Sequence, residues 1–179
     1  MTNPALNFLA LALYVAVGAL LAQRLVRSQG DATRSVRLGV LALGLGAAVL
    51  HATLLYPALR FEGGLNLALT TMFSLAAWVV VILYLCTSTL RPVDTLGILI
   101  MPIAGLTLLV EWLWPGQAPM PLTSGFQAAH IVVSILAYGL LCLAAVQSLL
   151  LLYQERHLHA HQPGGLVRLL PPMQTTETV

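Results

Sequence analysis

The sequence predicts an all-α membrane protein, a polytopic bundle of five transmembrane helices. The 179 residues are 59% hydrophobic and only 8% charged, with a mean hydropathy of +0.89, which is far too apolar for an ordinary soluble domain. Five apolar runs each reach roughly 20 residues, the length that a helix needs to cross a hydrocarbon core of about 30 Å. The runs are continuous rather than alternating, which favours helices over a β-barrel.

The predicted spans are 4–23, 38–59, 65–88, 95–114 and 125–153. No basic residue precedes the first span and arginines follow it, so we expect a retained helix rather than a cleaved signal peptide. Residues 1–153 are expected to form one transmembrane domain, and residues 154–179 a cytoplasmic C-terminal extension that is helical at first and irregular later.

The arginines predict the orientation, because the chain contains no lysine. Four arginines lie between positions 24 and 37, Arg91 lies in the third loop, and two follow the fifth span, whereas Arg60 stands alone in the second loop. The positive-inside rule therefore places the N-terminus outside and the C-terminus in the cytoplasm. The arginines form no continuous basic surface with interleaved aromatic residues, so the expected surroundings are a lipid bilayer and not nucleic acid.

Two histidines lie inside uncharged spans, His51 in the second and His130 in the fifth. An imidazole in hydrocarbon is costly unless something binds it. Counting along the helices from Arg60 and from Thr123 places the two at depths of about 13 Å and about 10 Å in the outer half. This arrangement suits axial ligation of a flat cofactor such as haem. The alternative is that each histidine bonds to a carbonyl or hydroxyl group of a neighbouring helix.

The surroundings of His51 are consistent with either interpretation. Gly44, Ala47 and Ala48 lie on the same helix face, one and two turns before the histidine, and leave space for a partner helix or a planar ligand. Glu111, near the outer end of the fourth span, either faces the headgroups or hydrogen-bonds a histidine ring N–H.

The fifth span carries a polar stripe. His130, Ser134 and Tyr138 recur at i, i+4 and i+8 on an otherwise apolar helix, and we expect this stripe to face the interior of the bundle. His157 and His161 form a further i, i+4 pair beyond the span, but two ligands alone do not predict a zinc or copper site.

No catalytic constellation is visible. Asn66, Thr70, Thr71 and Ser74 in the third span are expected to be interhelical hydrogen-bonding groups. The chain shows no nucleophile–base pair, phosphate-binding glycine loop or paired intramembrane carboxylates, so we do not expect an enzyme. A transporter is also disfavoured, since only Pro102 approaches the broken helices that such proteins use.

The chain resembles the cytochrome c assembly family of membrane proteins, in its HemX-like and YpjD-like inner-membrane branch related to CcsA. The stretches that carry the resemblance are 51–55, 63–67, 130–139, 154–156 and 169–177. Members usually continue for about three more helices with another histidine, so the chain resembles the N-terminal part of such a protein. Trp112 and Trp114 are not followed by the Asp-containing pattern that haem-exporting relatives carry.

The resemblance implies a role in cytochrome c biogenesis or haem handling at the bacterial cytoplasmic (inner) membrane. It implies that His51 and His130 are axial ligands of haem b, and we expect Ser134, Tyr138 and Glu111 to support them. Haem and other cytochrome c assembly proteins are the implied partners. The alternative is a non-catalytic scaffold or accessory subunit without haem, whose histidines only lock helix packing and which binds another membrane protein.

Overall fold

The computed structural model describes residues 4–26, 34–61, 64–90, 94–121 and 124–159. In these ranges it has five α-helices and three short β-strands, in the order α1 (Pro4–Val26), α2 (Arg34–Leu59), β1 (Arg60–Phe61), β2 (Gly64–Asn66), α3 (Leu69–Leu90), α4 (Asp94–Leu113), β3 (Pro119–Pro121) and α5 (Gly125–His159). Each helix is long and apolar enough to cross a membrane. The predicted helical class and the number of spans are confirmed, whereas the orientation of the termini stays a prediction.

The first four helices form a closed bundle. α1 packs against α2 and α4, and α3 packs against the same two helices from the other side. Tyr14 and Leu21 of α1, Val81 of α3 and Met101 of α4 are almost completely buried between them. Because all four helices contribute to one core, a residue on the inner face of any of them lies close to the other three.

Close helix contacts depend on small residues. A Cβ atom on Gly97 of α4 would lie 2.5 Å from Cδ1 of Leu21 and 2.6 Å from Cζ of Tyr84. Small residues at such positions let helix backbones approach closely, which is the usual basis of packing within membranes. Glycine at position 97 is therefore required by the contact between α4 and its neighbours α1 and α3.

α5 lies outside the bundle and packs against α3. Only 6% of its most apolar stretch is buried, against at least 33% for each of the other helices. With 35 residues it is about 52 Å long, more than a hydrocarbon core requires. It continues through the first part of the predicted cytoplasmic extension. His161 and the rest of 160–179 lie outside the described residues, as does the side chain of His157.

A small sheet caps the end of the bundle where α2 and α4 finish and α3 begins. β2 pairs antiparallel with β1 on one side and with β3 on the other. The sheet was not predicted, and it makes α3 begin at Leu69 rather than at residue 65. Gly64 is needed here, since a Cβ atom would lie 2.7 Å from Cζ of Phe61.

The opposite end of the bundle is held by arginines. Arg24 of α1 forms a salt bridge with Asp94 of α4 at 3.3 Å, and Arg37 of α2 donates to the backbone carbonyl of Ser88 in α3. Carbonyl groups in the last turn of a helix have no partner within the helix, so the guanidinium satisfies one of them. These contacts join the four helices in pairs at this end.

Candidate functional site

His51 lies at the centre of a buried group of polar side chains that we call the polar cluster: Tyr14, His51, Thr71, Ser74 and Glu111. The His51 side chain is completely buried, and both of its ring nitrogens are hydrogen-bonded. The Tyr14 hydroxyl lies 3.0 Å from Nδ1 and the Ser74 hydroxyl lies 2.9 Å from Nε2. A neutral imidazole has one donor and one acceptor nitrogen, and a hydroxyl group can serve either. The ring is therefore fully satisfied without a ligand.

Glu111 occupies the far side of the polar cluster. The residue is 6% exposed, and its carboxyl group is flanked by Thr71 and Ser74. Among the described residues, neither carboxyl oxygen has a hydrogen-bond partner of acceptable geometry. The interpretation that Glu111 faces the headgroups is wrong, because the residue is buried and its carboxyl group lies beside Thr71 and Ser74 of α3. The polar cluster thus draws at least one side chain from each of α1, α2, α3 and α4.

The space beside His51 is filled by protein. A Cβ atom on Gly44 would lie 3.0 Å from Cδ2 of Leu85 and 3.4 Å from Cε of Met101. Ala48 is almost fully buried, and its carbonyl accepts a hydrogen bond from Nε1 of Trp78 at 2.8 Å. The small residues of α2 therefore admit the partner helices α3 and α4. In this arrangement of helices both ring nitrogens of His51 are engaged by side chains of the protein.

The polar stripe of α5 does not face the interior of the bundle, contrary to the prediction. His130 is exposed, Tyr138 is 66% exposed and Ser134 is half-buried. The contact face of α5 is marked instead by Gly139, where a Cβ atom would lie 3.1 Å from Cγ1 of Val79. The main contact of α5 is with α3, and most of its circumference, including His130, is not covered by the described part of the chain. The structure does not bring His130 together with His51.

Asn66 is the central hydrogen-bonding residue of the capping sheet. Its side-chain nitrogen donates to the carbonyls of Ala58 and Gly116, both at 3.0 Å. Its side-chain oxygen accepts from the backbone N–H groups of Ala68 and Ala118, at 3.2 Å and 2.8 Å. One side chain thereby connects the end of α2, the start of α3 and the segment between α4 and β3. The expectation that Asn66 hydrogen-bonds between helices is confirmed, and its partners are backbone groups near the helix ends.

Sequence reasoning missed the role of Tyr14. Its hydroxyl lies in the middle of the first span, where an unpaired polar group is costly, and this position was a usable signal. The expectation that Ser74 makes an interhelical hydrogen bond is confirmed by its contact with His51. The position of Glu111 beside Ser74 depends on the rotation of α4 against α3, which no local sequence pattern encodes.

Similarity to known proteins is limited. No family model matches the chain, and no solved structure matches it significantly. A protein of Azospirillum brasilense described as an "Uncharacterized 28.8 kDa protein in nifR3-like 5'region" is 42% identical over 66 residues. The match covers 34% of this chain and 24% of that relative, so the chain spans about a quarter of the relative's length. The printed description names no activity, and the resemblance to cytochrome c assembly proteins stays a prediction.

Proposed function

We propose that this chain is a non-enzymatic protein of the bacterial inner membrane that assists cytochrome c biogenesis by handling haem b through His130. The haem site is completed by helices outside the five described here, from another chain or a second copy. Ser134 and Tyr138 lie on the same stripe and serve as hydrogen-bonding groups to the ligand. His51 and its hydrogen-bond partners Tyr14 and Ser74 hold the bundle that carries α5.

The observation that supports this proposal is the exposed polar stripe of α5. His130 lies on a membrane-spanning helix, and the described part of the chain leaves it uncovered. A histidine facing lipid is unfavourable, so the stripe is expected to meet either a ligand or another protein. An imidazole with a free approach to one ring nitrogen is what axial coordination of haem iron requires.

The sequence-based expectation that His51 and His130 ligate one haem has a structural requirement. Nε2 of His51 would have to exchange its hydrogen bond with Ser74 for the iron, and α3 would have to move away from α2. Tyr14 would remain on Nδ1, where metal-ligating histidines usually keep a hydrogen bond. The assignment to His130 requires neither change, which is why we favour it.

The second candidate is a scaffold or accessory subunit without haem. It is favoured by the apolar residues beside the stripe, among them Val133, 64% exposed, and Leu141, 63% exposed. A helix of this kind packs against a partner helix as readily as against a cofactor. If the protein is such a scaffold, it contains no chromophore, and substitutions in the stripe cause a partner membrane protein to dissociate.

A complementation experiment tests the proposed function. In bacteria lacking the native copy of this protein, c-type cytochromes are quantified by haem staining after expression of the wild-type chain, His130→Ala or Ser148→Ala. Ser148 is an exposed hydroxyl residue on α5, about 27 Å along the helix axis from His130, and serves as the matched control. We expect His130→Ala to lose most of the complementing activity at an unchanged protein level, and Ser148→Ala to keep it. Full complementation by His130→Ala would contradict the proposal.

A further inference from the structure

A pocket of about 490 Å³ opens beside the capping sheet, at one end of the bundle. Its apolar walls come from Phe61 and from prolines at the ends of α2, α4 and β3, and its polar groups include Arg60, Asn66, Thr71 and Glu111. Pockets that hold small organic molecules have volumes of about 300–1,000 Å³ and a few convergent polar groups. By size and composition this pocket suits a small molecule or a lipid headgroup better than a bare ion.

The unusual group in the pocket is the carboxyl of Glu111. The residue is 94% buried, it lines the pocket, and neither of its oxygens has a hydrogen-bond partner among the described residues. A buried carboxylate without a partner costs several kcal/mol unless a cation or donors meet it. A carboxyl group in this position is therefore stabilised by protonation, or by a cation or donor from outside the described residues.

The other polar groups of the pocket do not supply a positive charge to Glu111. The Thr71 hydroxyl flanks the carboxyl group but is neutral. The Arg60 guanidinium donates to the hydroxyl of Tyr56 and lies 5.2 Å from the centre of its ring, which holds it on the exposed side. Both polar atoms of the Asn66 side chain are engaged with backbone groups. In the part of the chain that the structure describes, no salt bridge reaches Glu111.

We propose that this pocket binds a primary ammonium group, with Glu111 as its counter-ion. An ammonium group offers three N–H donors, enough for both carboxyl oxygens and the Thr71 hydroxyl. Two sources share this chemistry: a free small amine and the ethanolamine headgroup of a membrane lipid. The proposal is independent of the haem function.

Binding is measured on the full chain purified in a maltoside detergent. n-Butylammonium chloride is titrated against sodium chloride at constant ionic strength, and tryptophan fluorescence is recorded, since Trp112 follows Glu111 directly and Trp114 lies close by. We expect saturable binding to the wild-type protein and to Glu155→Gln, which removes an exposed carboxyl on α5. Glu111→Gln should bind at least about tenfold more weakly, because it loses a charge-assisted hydrogen bond.

A second comparison needs no variant and therefore stands even if Glu111→Gln fails to fold. Tetramethylammonium carries the same charge but no N–H donor, so we expect it to bind the wild-type protein at least about tenfold more weakly than butylammonium. Equal binding of the two cations, or a response to sodium alone that matches the response to butylammonium, would overturn the proposal.

Nanodiscs distinguish the two sources. If the lipid headgroup is the ligand, phosphatidylethanolamine discs give a Glu111-dependent fluorescence difference from phosphatidylcholine discs, and butylammonium binds competitively with that lipid. If a free amine is the ligand, butylammonium binds equally in both kinds of disc. Either result supports the ammonium site. No Glu111-dependent response to butylammonium or to the ethanolamine lipid would overturn it.

Discussion

His51 shows how an intramembrane histidine can be hydrogen-bonded by side chains of its own chain. Position and hydropathy correctly predict that it is buried and that something must bind it. The groups that bind it are the hydroxyls of Tyr14 and Ser74, on the two helices that flank α2. Whether a buried imidazole meets a metal or two hydroxyl groups depends on how the neighbouring helices are rotated about their axes. The sequence leaves this open, because any helix face that contains a hydroxyl can satisfy an imidazole.

The hydrogen bond between Tyr14 and His51 has a measurable contribution to stability. Tyr14→Phe removes only the hydroxyl and leaves Nδ1 of a buried ring without a partner. Interhelical hydrogen bonds in membranes contribute about 0.6 kcal/mol on average and about 1.7 kcal/mol at most, so a destabilisation in this range is expected. The measurement is unfolding in mixed detergent and dodecyl sulfate micelles, followed by circular dichroism.

The control for this prediction is Tyr138→Phe on α5. This tyrosine is 66% exposed, so loss of its hydroxyl should change the free energy of unfolding by less than about 0.5 kcal/mol. Equal effects of the two substitutions would show that the Tyr14–His51 contact does not stabilise the bundle.

At the scale of elements, hydropathy predicts the helices well and the connections poorly. The five spans follow from the length and continuity of apolar runs, which the bilayer itself imposes. The capping sheet consists of strands of two and three residues, too short for any periodic pattern. It forms because Asn66 and the paired backbones satisfy polar groups at the end of the bundle, and these contacts lie far apart in the sequence.

α5 shows that the sequence of a helix does not by itself predict which of its faces packs against the bundle. A polar stripe normally turns inward, and the prediction for His130 and Tyr138 followed that rule. The rule assumes that the bundle is complete within the chain. Here α5 packs mainly against α3 among the described helices. Its contact face contains Gly139 and apolar neighbours, and the stripe points away from the core.

Helix packing at Gly97 provides a test at this scale. Gly97→Ala introduces a Cβ atom within 2.6 Å of Cζ of Tyr84, so either the neighbouring side chains or the helices must shift, and overpacking of this kind costs about 1–3 kcal/mol. Gly46→Ala in α2 is the matched control, since no atom lies within 4 Å of the added Cβ. We expect lower thermal stability only for Gly97→Ala. Equal stability of the two variants would contradict the close approach of α4 to α1 and α3.

At the scale of the whole molecule, the orientation in the membrane is open to direct measurement. In a variant without Cys86 and Cys142, Gln117→Cys places a thiol between α4 and β3, and Ser28→Cys places one in the arginine-rich first loop. The positive-inside rule predicts that a membrane-impermeant maleimide labels position 117 in intact cells and labels position 28 only after lysis. The reverse pattern would show the opposite orientation.

The four-helix bundle and the uncovered α5 have different predicted tasks. Among the described residues of the bundle, the buried polar side-chain atoms without a hydrogen-bond partner belong to Glu111 and to one nitrogen of Arg24. By contrast, α5 presents His130, Ser134 and Tyr138 to whatever lies beside it. Substitutions in the bundle are therefore expected to affect stability, and substitutions in the stripe to affect the interaction with ligand or partner. The central claim is that the ligand at this stripe is haem.

The absorption spectrum of the affinity-purified full chain, oxidised and then reduced with dithionite, tests that claim most directly. Protein isolated in mild detergent from haem-replete cells is compared with His130→Ala and with Ser148→Ala. The predicted result is a Soret band with sharp α and β bands on reduction, retained in Ser148→Ala and lost in His130→Ala while circular dichroism is unchanged. Folded wild-type protein without haem, or undiminished bands in His130→Ala, would contradict it.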